Sequence, residues 1–259
     1  MKLTFYKYQA TGNDFIMIDG FSYNELELSQ AQIRWLCDRH FGIGSDGLII
    51  LRPDERSNFF MDFYNPDGTH AGFCGNGGRC SVLFAKNLGI FKDKVFFRAR
   101  DGFHQGFLEN SGEIKLEMKD VCKMEDFGQE IFVNTGTEHV VVFVKNLDEM
   151  DIIPMARLIR YNERYKPQGV NVNFVQVLDF QRIKVRTYEK GVEHETLSCG
   201  TGVVASAIVS AYKFNVGTDV IVETKGGELK VSFEKMQDCF KKVFLLGSVN
   251  KVFSGEISI

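Results

Sequence analysis

Cys74-Gly75-Asn76-Gly77, running on into Cys80-Ser81-Val82-Leu83-Phe84-Ala85, has a counterpart later in the same chain. That counterpart is Cys199-Gly200-Thr201-Gly202, followed by Val203-Val204-Ala205-Ser206-Ala207-Ile208-Val209. The two cysteines lie 125 positions apart (199 minus 74) in a chain of 259 residues, so each half carries one in the same local setting. Two further blocks repeat in register. Thr11-Gly12-Asn13-Asp14-Phe15 is echoed by Thr135-Gly136-Thr137-Glu138-His139, and Phe63–Gly68 more loosely by Thr187-Tyr188-Glu189-Lys190-Gly191. Three blocks in one order at nearly one spacing indicate duplication and fusion of a single unit. The expected division is residues 1–118 plus 249–259 for the half carrying Cys74, and 119–248 for the half carrying Cys199.

Around these blocks the chain reads as many short β-rich runs punctuated by Gly, Asn and Asp turns, with few helices. The spacing predicts a helix over 29–40, opened by the capping box Ser29 to Gln32, and a second over 153–163 with Pro154 in its first turn. The segments after the cysteines, 78–88 and 202–214, are apolar nearly all round, and a helix without a polar face must be enclosed on every side. The fold class expected is therefore α+β. It comprises two pseudo-symmetric domains, each a curved antiparallel sheet or barrel wrapped around a buried central helix.

Composition narrows the function. A hydrophobic content of 44% and a charged content of 25% describe a globular protein with ample core. A net charge of −3, with Lys and Arg scattered, gives no electrostatic case for nucleic acid. There is no stretch of roughly 18 apolar residues to span a membrane, and no signal peptide, so a cytoplasmic protein is expected. The six cysteines are expected as thiols, with Cys37, Cys80, Cys122 and Cys239 acting as small core hydrophobes. No C-x-x-C or H-x3-H pair suggests a metal site, and no Walker A, dinucleotide or pyridoxal-phosphate signature suggests a cofactor.

A cysteine placed just before Gly-x-Gly and a buried helix sits among unpaired N–H groups at the positive end of the helix dipole. This setting favours thiolate and forms a nest for a substrate carboxylate. Two such cysteines, brought to opposite sides of one α-carbon, would remove a proton from one face and deliver one to the other. That is the chemistry of racemisation. A non-enzymatic alternative is a redox sensor in which Cys74 and Cys199 form a reversible disulfide.

Six motifs now make a resemblance specific: 8–19, 41–49, 63–80, 134–139, 169–174 and 186–202. In this order they resemble the diaminopimelate epimerase family over essentially the whole chain. The resemblance implies a pyridoxal-phosphate-independent enzyme that interconverts LL- and meso-diaminopimelate for lysine and peptidoglycan precursors, and it allows for a homodimer. It implies Cys74 and Cys199 as the acid–base pair, with Gly75, Asn76, Gly200 and Thr201 holding the reacting carboxylate. Asn13, Asn65 and Asn171 would orient the substrate, Glu189 would pair with its ammonium, and Lys190 would face the distal carboxylate. His139 and Glu189 would tune the cysteines. The chain departs from the family pattern in having Lys190 where Arg is common, and Thr137-Glu138 where Asn-Pro is common. The alternative within the enzyme class is a related cofactor-independent racemase or isomerase, proline-racemase-like, with another substrate.

Overall fold

The computed structural model describes every residue of the chain except Asn24 and Asp238. The chain divides into two compact units, Met1–Leu116 with Gly247–Ile259, and Glu117–Leu246.

The first unit opens with the hairpin β1 (Lys2–Ala10) and β2 (Asn13–Asp19). Its turn needs positive φ at two consecutive residues, Thr11 at 48° and Gly12 at 84°. Helix α1 (Gln30–Cys37) follows, and the predicted capping box is present: Ser29 accepts from the Gln32 N–H, and the Gln32 side chain reaches back to Ser29. Next come β3 (Gly47–Arg52), β4 (Phe60–Tyr64), α2 (Gly75–Asn87), β5 (Lys94–Ala99), β6 (Gly102–Leu108) and β7 (Ile114–Glu117). The second unit contains β8 (Met124–Asp126), β9 (Glu130–Asn134), β10 (Glu138–Phe143), α3 (Ile152–Arg160), β11 (Asn171–Val177) and β12 (Arg182–Glu189). It continues through β13 (His194–Thr196), α4 (Gly200–Phe214), β14 (Asp219–Thr224), β15 (Gly227–Met236) and β16 (Cys239–Gly247). The last strand, β17 (Asn250–Ser258), pairs antiparallel with β1 and so belongs to the first unit.

The duplication is visible in the order of elements. In the first unit β1 pairs antiparallel with β2, and β2 runs parallel to β3 across α1. β3 pairs antiparallel with β4, and β4 touches β5 in parallel across α2. The second unit repeats each step: β9–β10 antiparallel, β10–β11 parallel across α3, β11–β12 antiparallel, β12–β14 parallel across α4. The sheets are thus mixed, antiparallel at most steps, with a parallel step wherever a helix makes the crossover. A parallel neighbour requires such a long return connection.

Each unit wraps its strands around the helix that follows the cysteine. In α4 every residue from Gly200 to Ala211 is buried, and in α2 every residue from Gly75 to Val82 is. Each enclosed Val or Ile is worth about 1.5–3 kcal/mol relative to exposure, so these helices are anchored by burial and not by charge. Both begin earlier than the apolar run implies, because their glycine-rich first turns are helical too. Gly77 shows why a side chain is absent there: a Cβ would meet Ile49, Met61 and Phe15 at 3.1–3.5 Å.

One expectation fails. Cys122 and Cys239 are joined by a disulfide, and Cys122 is exposed instead of serving as core. The cause is local: Val121 forms a bridge with Phe240, which sets the residues beside them opposite each other with Cα atoms 4.0 Å apart. Cys37 and Cys80 are buried as expected.

Candidate active site

Cys74 is the N-cap of α2 and Cys199 the N-cap of α4, with extended backbone at both (φ −122°, ψ 124° and φ −119°, ψ 109°). Neither side chain makes a capping hydrogen bond, so the cysteine sulfurs do not occupy the N–H groups of the first turn. Gly75 and Asn76, and Gly200 and Thr201, form those first turns and are buried.

In the first unit the sulfur meets an amide whose orientation is fixed. Asn13 Nδ2 donates to Asp46 Oδ2 at 2.8 Å, and a carboxylate can only accept. Asn13 Oδ1 is left to accept from Cys74 Sγ at 3.7 Å and from Asn76 Nδ2 at 3.3 Å. This arrangement suits a protonated Cys74. Asp46 is held by Arg39 at 2.7 Å, which also binds Asp14. Burial alone would raise the Asp14 pKa, but hydrogen bonds from Arg39 and Lys7 outweigh it and hold the carboxyl at about 2. Asn76 Oδ1 accepts from Arg79 Nη2 at 3.0 Å, and the same Nη2 reaches Thr11 Oγ1 at 3.3 Å. Arg79 has no exposed surface, and its Nε and Nη1 have no hydrogen-bond partner among the described residues.

In the second unit the sulfur meets a hydroxyl. Cys199 Sγ lies 3.6 Å from Thr201 Oγ1, which is 3.0 Å from His139 Nε2 and 3.1 Å from Thr137 Oγ1. Thr137 Oγ1 is itself 2.9 Å from His139 Nε2. The tautomer follows from the other ring nitrogen. Asn173 Oδ1 accepts from Thr187 Oγ1 at 2.9 Å, so Asn173 Nδ2 faces His139 Nδ1 at 3.1 Å and donates to it. His139 then carries its proton on Nε2 and donates to the threonines. Complete burial, reinforced by the positive charge of Lys190, depresses its pKa to about 3, so the imidazole is neutral at pH 7. A donated hydroxyl at Cys199 can stabilise thiolate, where the carbonyl at Cys74 cannot.

The remaining expected residues separate into two groups. Asn171 is buried on β11, with Nδ2 donating to the Glu138 carbonyl at 3.1 Å and Oδ1 accepting from the Lys190 N–H at 2.9 Å. Lys190 Nζ binds Glu138 Oε2 at 3.1 Å and the Gly169 carbonyl at 3.3 Å, and Glu189 ends β12, half-buried. Asn65 instead occupies a turn, with its N–H on the Thr69 carbonyl at 2.8 Å and Nδ2 on Thr69 Oγ1 at 3.1 Å. Asp46, Arg79 and Asn173 were not anticipated. A charged residue in the otherwise uncharged first turns of α2, and the polar alternation of Asn171 and Asn173 in a buried strand, were the available signals.

The diaminopimelate epimerase family model matches residues 5–123 and 131–252, which takes in both cysteine helices. The chain belongs to the diaminopimelate epimerase family. Among family relatives, the diaminopimelate epimerase of Flavobacterium psychrophilum is 44% identical, covering 99% of this chain and all of that protein. That of Aquifex aeolicus is 41% identical over 99% of this chain and 98% of that protein. The fold extends beyond the family. A Bacillus anthracis phenazine biosynthesis protein of the PhzF family superposes with a TM-score of 0.77 at 15% identity, covering the whole of both chains. A hydroxyproline epimerase from Agrobacterium vitis gives 0.71 at 12% identity, covering all of this chain and 93% of that one.

Proposed function

We propose that the protein is a pyridoxal-phosphate-independent epimerase that interconverts LL- and meso-diaminopimelate, supplying lysine and peptidoglycan precursors. The observation that carries this is the family match across both halves, each of which sets one cysteine at the start of an enclosed helix. Cys74 and Cys199 are the two acid–base groups: one thiolate takes the α-proton and the other thiol returns a proton to the opposite face. A thiolate is far too weak a base for a Cα–H bond in water. The difference comes from fixed dipoles and excluded solvent, with the N–H groups of Gly75, Asn76, Gly200 and Thr201 binding the α-carboxylate as charge develops. Asn13, Asn65 and Asn171 orient the substrate, Glu189 receives its ammonium, and Lys190 receives the distal carboxylate. His139, being neutral, acts on Cys199 through the Thr201 hydroxyl and not as a cation. No helix among the described residues is long and apolar enough to cross a membrane, and a cytoplasmic location suits such an enzyme.

The test is incubation with LL-diaminopimelate in heavy water, following deuterium at Cα and the appearance of the meso form. Serine at either Cys74 or Cys199 should abolish conversion. Conversion that survives both substitutions, or exchange with proline and not with diaminopimelate, overturns the assignment.

A further inference from the structure

Arg79 is a fully buried cation with two of its three nitrogens unpartnered, and no carboxylate reaches it among the described residues. Burying an uncompensated charge is expensive, so its presence calls for a reason. The duplication shows that the fold itself supplies none. The position 125 residues later, in the same turn of α4, is Val204, equally buried. In the second unit the buried nitrogen base is His139, whose counterpart in the first unit, 124 positions earlier, is Phe15. Each half therefore carries one basic side chain with no exposed surface close to its cysteine, drawn from a different element. One is charged and the other neutral.

The charged groups around Cys74 narrow the role. Asp14 and Asp46, facing Asn13 from β2 and the loop before β3, are matched by Lys7 and Arg39. His104 of β6 stacks on Phe73, the residue before Cys74, at 3.8 Å between ring centroids, and is paired with Asp101 at 2.9 Å. From α2 itself come Cys80 and Arg79. Cys80 is fully buried, and burial pushes its pKa far up, so it stays neutral. That leaves Arg79 as the uncompensated charge, connected to the Cys74 sulfur through Asn76 and Asn13. Both Cys80 and Cys74 lie close enough to act on it electrostatically.

We propose that Arg79 is a positioning residue for the acid–base reaction, whose buried charge and grip on Asn76 keep Cys74 able to ionise. The Asn13 carbonyl favours the thiol at Cys74, and the guanidinium offsets that preference. The two cysteines can then exchange roles, as a reaction running in both directions requires. The inference rests on Cys74 being one of the two proton-carrying groups.

The test measures Cys74 directly, without substrate. In a Cys199→Ser background, with Cys37 and Cys80 buried and Cys122 joined to Cys239, iodoacetamide alkylation of the Cys74 peptide is followed by mass spectrometry across pH. Arg79→Met should raise the alkylation midpoint by about 1–2 pH units, with an alkylation rate at pH 7 at least about tenfold lower. Its thermal midpoint should not fall below that of the parent, because an unpaired buried charge has been replaced by an apolar group of similar length. If Arg79→Met does not fold, Asn76→Asp reads the same quantity, since a carboxylate 3.0 Å from Nη2 would neutralise Arg79 and raise the midpoint likewise. An unchanged midpoint in the folded variant overturns the proposal. Failure of the unmodified enzyme to act on diaminopimelate would instead sink the function assigned above and leave the alkylation result standing.

Discussion

Lowering the pH from 7 to 5 should destabilise this protein through His139, by an amount that can be worked out. The imidazole is fully buried between Asn173 on one nitrogen and Thr137 and Thr201 on the other, and its pKa falls from 6.5 to about 3. The folded state therefore keeps it neutral while the unfolded chain takes up a proton below 6.5. The stabilisation tied to the neutral ring is complete above that value and is lost progressively as the pH falls toward 3. Between 6.5 and 5 this is about 1.5 pH units at about 1.4 kcal/mol each, or about 2 kcal/mol. The half-buried carboxylates do not confuse the measurement, because the windows of Asp14 and Glu193, both held at about 2, lie below their ordinary values near 4. Urea unfolding at pH 7 and pH 5 of the native protein and of His139→Gln provides the assay. The glutamine retains a donor toward the threonines and has nothing to titrate. The native protein should lose about 2 kcal/mol more than the variant over this interval. Equal losses would mean that His139 is not the buried neutral donor inferred from its contacts.

Gly202→Ala should cost at least about tenfold in turnover and about 1–3 kcal/mol in unfolding free energy, because the new Cβ would sit 2.3 Å from Asn173 Oδ1. Wild-type kinetics in that variant would show that the Asn173–His139 geometry does not matter. Asn173→Leu strands His139 Nδ1, the Thr187 hydroxyl and the Val140 carbonyl together, and should lower the stability measured in urea by about 2–3 kcal/mol. A loss below about 0.5 kcal/mol would contradict the network. Glu138→Gln releases Lys190 from its half-exposed ion pair, so KM for diaminopimelate should fall while stability changes by no more than about 0.5 kcal/mol. An unchanged or higher KM would remove Lys190 from distal-carboxylate binding.

Much of this was legible in the residues themselves, and the gaps have physical causes. Ser29 and Gln32 announced α1 because a capping box is a local device, complete within four residues. The enclosed character of α4 was readable because no charged residue falls between Leu197 and Tyr212. Strand β6 was hidden, since its sequence GFHQGFL breaks alternation with two glycines, a histidine and a glutamine. Its pairing with β5 is set by the preceding Arg100-Asp101-Gly102 turn and not by propensity. At the site, Asn13, Asn76, Thr201 and His139 all fall within the hydrogen-bonded clusters around the cysteines. Asn65 looks like a turn residue beside Pro66-Asp67-Gly68 and is held as one. Asn173 and Arg79 escaped because what marks them, burial and missing partners, exists only after folding. The Cys122–Cys239 link likewise depends on a bridge between residues more than a hundred positions apart.

Strand β17 gives the two units different histories. The second unit closes on β8, a neighbour of β9 in sequence, so all of its partners are at hand once it has been made. The first unit must leave the β17 edge of β1 uncovered while the entire second unit is synthesised. Only then does Met1 meet Ile259 through the hydrogen bond that ties the two strand ends together. An open strand edge of that length is a template for the wrong neighbour. On the ribosome the half begun first is therefore the half finished last, and it is there that a chaperone would have the longest opportunity to bind.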